Sequence, residues 1–149
     1  MQVEECEKYA ARAFEKDPHL MFVIQRNHNK NAVGYSFINS TVQARWFEFE
    51  ADTSGSTRSA VTEMERLAFG VTQKGVTFRM KAIPGHVLHV GQSAEGKPVA
   101  VLTHNGVQIV LRRVWVKLKT IMWVHTPVAE FIEIFGANIA TGEPVKVRI

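Results

Sequence analysis

The sequence predicts a mainly β domain, an antiparallel sandwich or partly closed barrel of roughly nine strands with one internal helix and a further helix at the N-terminus. Three observations carry this prediction. Short runs rich in β-branched and aromatic residues recur from Leu20 to the C-terminus, separated by turn chemistry. Asn105-Gly106 joins two such runs, and a two-residue type I′ hairpin needs positive φ at both central positions. A helical period replaces the strand period only twice, at the start of the chain and once in its middle.

Residues 3–16 place Val3, Ala10, Ala11, Ala13 and Phe14 among charged side chains at helical spacing, and Asp17-Pro18 ends the pattern because the residue before proline avoids α conformation. Residues 1–19 are therefore an N-terminal helical extension, and 20–149 a single antiparallel β domain. LMFVIQR and AVGYSFI read as strands joined by the Asn-rich turn RNHNKN. ARWFEFE alternates, with Arg45, Phe47 and Phe49 on one face and Trp46, Glu48 and Glu50 on the other. Between about Ser56 and Phe69 the residues Ala60, Val61, Met64, Leu67 and Ala68 fit a helix, with Gly70 where a left-handed cap belongs. VTFRMKA, HVLHVG, PVAVLTH, GVQIVLRRVWVKL, MWVHT, AEFIEIFG and the tail VKVRI complete the strands.

Composition excludes several classes of function. The 149 residues are 46% hydrophobic and 21% charged, which suits one domain with one core. No apolar run approaches the roughly 20 residues of a membrane span. The charged start lacks an apolar signal region, so a cytoplasmic location is the expectation. With Cys6 as the single cysteine, neither an intramolecular disulfide nor a cysteine-built zinc site can form. The net charge is +4, and the first twenty residues hold more acids than bases, so the β domain is the basic part. That balance suits an anionic ligand.

Motifs for catalysis and metals are sparse. His86 and His89 lie an odd number of residues apart in a strand-like run and so point to opposite faces, while His19, His28, His104 and His125 stand alone. No metal site and no cofactor are expected. A nucleophile elbow is missing, and so is a phosphate loop, since GQSAEG lacks the Lys-Ser/Thr pair, with Pro98 after Lys97, and the helix that a phosphate loop requires. Glu48 and Glu50 share a strand face beside Trp46 and are candidate acid or base residues, although alternation of acids with aromatics is what a solvent-facing strand shows.

Two polar groupings are more informative. Gln25, Arg26, Asn27, Asn29, Lys30 and Asn31 crowd amides and cations onto a strand end and its turn, where a carboxylate or phosphate could be held, or where the Asn side chains bond their own backbone. Arg112, Arg113, Lys117 and Lys119 lie in a stretch, 106–129, without an acid. One aromatic, Trp115, shares a face with three of them, too few for a base-stacking platform, so nucleic acid is not expected.

The run LMFVIQRNHNKNAVGY, the strand ARWFEFE, the segment ERLAFGV, the hairpin LTHNGVQIVLRRVWV and the tail EFIEIFGANIATGEPVKVRI resemble domain-of-unknown-function family 4833 over about residues 20–149. Many of its members look like exported bacterial proteins with an N-terminal signal, and this chain carries the charged helix instead. The resemblance implies weight for the polar turn at 25–31, for Trp46, and for Arg66 with Phe69 and Gly70.

The leading expectation is a non-enzymatic domain that binds a small anionic or amphipathic ligand, with Gln25, Arg26, Asn27, Asn29, Lys30, Asn31, Trp46, Arg66, Arg79 and Lys81 as candidate ligand-binding residues. Two alternatives stand beside it: an enzyme using Glu48 or Glu50 on an anionic substrate, and a module that presents a strand edge or the basic strand to a protein or nucleic acid. The oligomeric state is left open by the sequence.

Overall fold

A computed structural model describes residues 3–27, 29–49, 56–61, 65–119 and 128–149. Helix α1 spans Val3–Lys16, as the spacing predicts. Asp17 ends it and ties the end to the sheet, because its carboxylate accepts the His19 N–H at 2.9 Å and the buried Ser36 hydroxyl at 2.6 Å.

The strands are β1 Leu20–Arg26, β2 Asn29–Ile38, β3 Thr41–Phe49, β4 Ser56–Ala60, β5 Val71–Lys74, β6 Thr77–Met80, β7 Leu88–Gln92, β8 Pro98–His104, β9 Val107–Lys119, β10 Val128–Asn138 and β11 Pro144–Arg148. A short helix α2, Arg66–Phe69, stands between β4 and β5. Nine strands form one path, β4-β3-β2-β1-β9-β8-β7-β6-β5, and β10 with β11 branches from β9. The sheet curls into an open half-barrel, so of the two architectures expected, the partly closed barrel is the one observed.

Strand β9 organises the branch. Its 13 residues are long enough for β8 and β1 to share one edge end to end, β8 opposite Val107–Leu111 and β1 opposite Arg113–Val116, while β10 runs along the other edge. The β1–β9 pair is parallel and every other pair is antiparallel among the described strands. Where the curl brings β5 toward β3, the Gln73 side chain stands in for a backbone amide: its oxygen accepts the Val42 N–H at 2.9 Å and its nitrogen donates to the Ser40 carbonyl at 2.9 Å.

Each face of the curl has its own apolar cluster. Inside, Phe22 stacks on Tyr35 at 4.6 Å and packs with Phe78, Met80, Leu102 and Ile134. Outside, α1 lays Tyr9, Ala10 and Ala13 on Val23, Phe47 and Phe49. Phe47 and Phe49 therefore face the helix, while Trp46 faces the hollow of the curl. The apolar face of α1, thin by its count of alanines, is anchored by Tyr9, whose ring lies 5.5 Å from Phe49.

Three details differ from the sequence reading. The helix expected over Ser56–Phe69 is a strand in its first part and a helix of only four residues in its last. The open outer edge of β3 offers Ser56–Ala60 five ladder partners, and Ser and Thr are poor helix formers, so pairing wins there. Gly70 is extended, with φ −68° and ψ 164°, and so is not a left-handed cap. Val71–Lys74 is a separate strand that the sequence reading missed, whereas the strand expected at MWVHT lies outside the described residues. The turn at Asn105-Gly106 is as expected, with φ 49° and 79°.

Candidate functional site

The hollow of the curl contains a cavity of about 430 Å³. Strand alternation builds its walls: Ile24 and Arg26 come from β1, Asn31 and Val33 from β2, Trp46 from β3, Val116 and Leu118 from β9, and Ile132 from β10. Ala68 and Phe69 of α2, with Lys81 and Ala82 of the β6–β7 connection, close one side. Apolar side chains dominate, and Arg26, Asn31 and Lys81 are the polar exceptions, together with Gln25 where β1 borders the cavity. A second cavity of about 440 Å³ adjoins it, with Thr41, Gln43, Val61, Arg66 and Val71 in its wall, and the two share Phe69 and Lys81.

Helix α2 is too short to be stable alone, and three contacts hold it over the hollow. The Tyr35 hydroxyl donates to the Phe69 carbonyl at 2.7 Å, the Trp46 indole N–H donates to Glu65 at 2.8 Å, and the Trp46 and Phe69 rings meet edge to face at 5.4 Å. Burial pushes the Tyr35 phenol above its ordinary range, so it stays a donor. Removing the hydroxyl in Tyr35→Phe keeps the ring stack on Phe22 but strands the Phe69 carbonyl, so a loss of about 1–2 kcal/mol is expected. A lower urea midpoint with an unchanged denaturant slope is the signature to look for, and an unchanged midpoint would contradict the tether.

The structure brings together five of the expected site residues, Gln25, Arg26, Asn31, Trp46 and Lys81, in the first cavity, and it adds Arg66 through the second. Asn27 lies elsewhere: its buried amide is bonded to the backbone of Leu118. Arg79 donates to the Pro84 carbonyl at 3.0 Å and belongs to neither cavity wall. Asn29 and Lys30 open β2, and their side chains lie outside the described part of the structure. Glu48 is exposed, Glu50 lies outside the described residues, and neither cavity carries a carboxylate in its described wall.

Some wall residues were legible only in hindsight. In the basic stretch the sequence draws attention to Arg113, Lys117 and Lys119, but the cavity uses the opposite face, Val116 and Leu118. Alternation with the charged residues was the available signal. Glu65 and Tyr35 act by holding α2, and no pattern in the sequence links them to it.

The β6–β7 connection that supplies Lys81 also supplies His86, whose Nε2 lies 3.2 Å from His104 Nδ1 at the end of β8. Spacing within one strand could not show this pair, because its members come from neighbouring hairpins. One ring must donate its N–H to the bare nitrogen of the other, an arrangement that double protonation destroys. Partial burial and then the proximity of His104 lower the His86 pKa from its ordinary 6.5. The unfolded chain therefore takes up this proton at a higher pH than the native one. Stability from the pair is complete above about pH 6.5 and declines as pH falls through the native pKa below it. His86→Gln should flatten the fall in thermal midpoint between about pH 7 and pH 5. An unchanged pH dependence would show that the pair is not linked to folding.

Among the described residues no group of three or more His, Cys, Asp or Glu side chains is placed to hold a metal ion. No described helix is long and apolar enough to cross a membrane. The family model described as Domain of unknown function (DUF4833) matches residues 22–148. The chain belongs to the DUF4833 family. Comparison with curated proteins and with solved structures finds no match. The DUF4833 match begins within β1, so it covers every element that lines the two cavities and leaves α1 outside.

Proposed function

We propose that this DUF4833 domain is a binding domain that takes a small amphipathic anion in the hollow of its half-barrel. The observation that carries the reading is the make-up of the first cavity: a largely apolar wall, two cations and no carboxylate in its described part. Its volume of about 430 Å³ falls in the range of small-ligand pockets. An apolar wall favours an apolar body by removing it from water, and the cations at Arg26 and Lys81 favour an anionic group at its end. Neither cation forms an ion pair or side-chain hydrogen bond with another described residue, so no described acid competes with a ligand for them. The carboxylate enzyme has less support, because the described walls hold no acid that could act as a base.

Decanoate, added below its micelle concentration and followed by NMR, tests the reading. Saturable shifts of the Trp46 indole N–H are expected, while the indole of Trp115, which packs on Phe131 rather than in the cavity, stays in place. Ile132→Trp, which fills the cavity, should abolish the shifts. If neither decanoate nor decyl phosphate perturbs Trp46, the binding reading is wrong.

A further inference from the structure

The two cavities differ in a way that divides a ligand into parts. The first is walled mainly by aliphatic and aromatic groups, whereas the second adds Thr41, Gln43 and Arg66 to a smaller apolar surface. Phe69 and Lys81 border both, so the two cavities meet at these residues. Arg66 also lacks an ion pair or side-chain hydrogen bond with any described residue. Three cations elsewhere do have acidic partners: Arg113 meets Glu7, and Lys146 and Arg148 meet Glu133.

Resting on the binding reading above, we infer that the ligand is a single-chain phosphate monoester, with its apolar tail in the first cavity and its phosphate in the second between Arg66 and Lys81. The charges select the head group. Two cations without an acidic partner among the described residues border the second cavity, and a phosphate monoester carries close to two negative charges at neutral pH. A carboxylate would match only one of these two, while Arg26, in the first cavity, is met by neither head group. The Arg66 guanidinium can also meet a phosphate through two parallel hydrogen bonds, and Lys81 supplies a point charge beside it. The apolar wall beyond Phe69 explains why free inorganic phosphate would be a poor ligand, since it leaves the larger apolar surface uncovered.

Titration of the intact protein with decyl phosphate, decanoate and inorganic phosphate, each below its aggregation concentration, tests the division. Decyl phosphate is expected to bind at least about tenfold more tightly than decanoate, and inorganic phosphate far more weakly than either. Arg66→Ala should remove most of the preference for decyl phosphate over decanoate while leaving the thermal midpoint close to that of the parent, because Arg66 is exposed and holds no other described residue in place. Decanoate binding with no added gain for decyl phosphate, or a preference that survives Arg66→Ala, overturns the head-group assignment and leaves the binding reading standing. Flotation with vesicles of phosphatidylcholine and phosphatidic acid distinguishes the source of the phosphate. Capture by vesicles without binding of monomeric decyl phosphate would also overturn the assignment.

Discussion

Replacing Gly136 with alanine is expected to lower the unfolding free energy by about 3 kcal/mol. Gly136 sits in β10 where the ladder with β9 shifts register, opposite Leu111 on one side and Val145 on the other. A Cβ there would collide with the Val110 carbonyl oxygen and stand 2.8 Å from Ile109 Cγ2. A carbonyl in a ladder cannot rotate away as a side chain can, so relief requires β9 and β10 to separate. The cost spreads, because β9 also carries β8 and β1 on its other edge. Two further glycines calibrate the result. At Gly34 the collision is with the side chains of Phe47 and Leu20, which can give partly, so Gly34→Ala should cost less. At Gly85 nothing lies within 4 Å and φ is not positive, so alanine there should be neutral or stabilising by about 0.5 kcal/mol. Urea midpoints of the three variants make the comparison, and a Gly136→Ala midpoint equal to that of Gly85→Ala would refute the account of the β9–β10 register.

Position 136 also shows what a sequence can and cannot disclose. AEFIEIFG reads as a strand, but that its glycine meets the Val110 carbonyl depends on a partner strand that local pattern does not name. The same division runs through the fold. Leu20–Arg26, the Asn105-Gly106 turn and the end of α1 at Asp17 were legible because their signals are local: β-branched runs, a turn dipeptide, a proline. The segment 56–69 was misread because five apolar residues at helical spacing are a weak signal, and the open edge of β3 decides the matter from a distance. The candidate site follows the same rule. Arg26, Trp46, Arg66 and Lys81 could be picked out as cations and an aromatic beside strands, yet their meeting around Phe69 depends on the curl of the sheet. His86 and His104 illustrate the limit most sharply, since 18 residues separate them and two hairpins bring their rings together.

The second large effect is expected at Asn27, which the sequence reading placed among ligand-binding amides. Its side chain acts as an extra residue of the parallel β1–β9 ladder. The backbone N–H of Asn27 donates to the Val116 carbonyl, its Nδ2 donates to the Leu118 carbonyl at 3.0 Å, and its Oδ1 accepts the Leu118 N–H at 2.6 Å. At this point β1 turns away toward β2, with Arg26 paired to Asn29, so no backbone of β1 is left to meet Leu118. The amide fills the gap, and only Asn offers a donor and an acceptor at this reach. Asn27→Ala leaves both groups of Leu118 unpaired beside a buried position, for an expected loss of about 2–4 kcal/mol. Asn27→Asp should not rescue it, because a carboxylate can accept the Leu118 N–H but sets a negative oxygen against the Leu118 carbonyl. Leu118 is also cavity wall, so the Leu118 amide should exchange faster in the alanine variant, and the wall beside Arg26 should loosen with it. The two roles for Asn27 diverge in measurement: a ladder residue costs stability and protection at Leu118 without any ligand present, whereas a ligand contact would cost affinity alone. A variant with parental stability and weakened decanoate binding would return Asn27 to the ligand site.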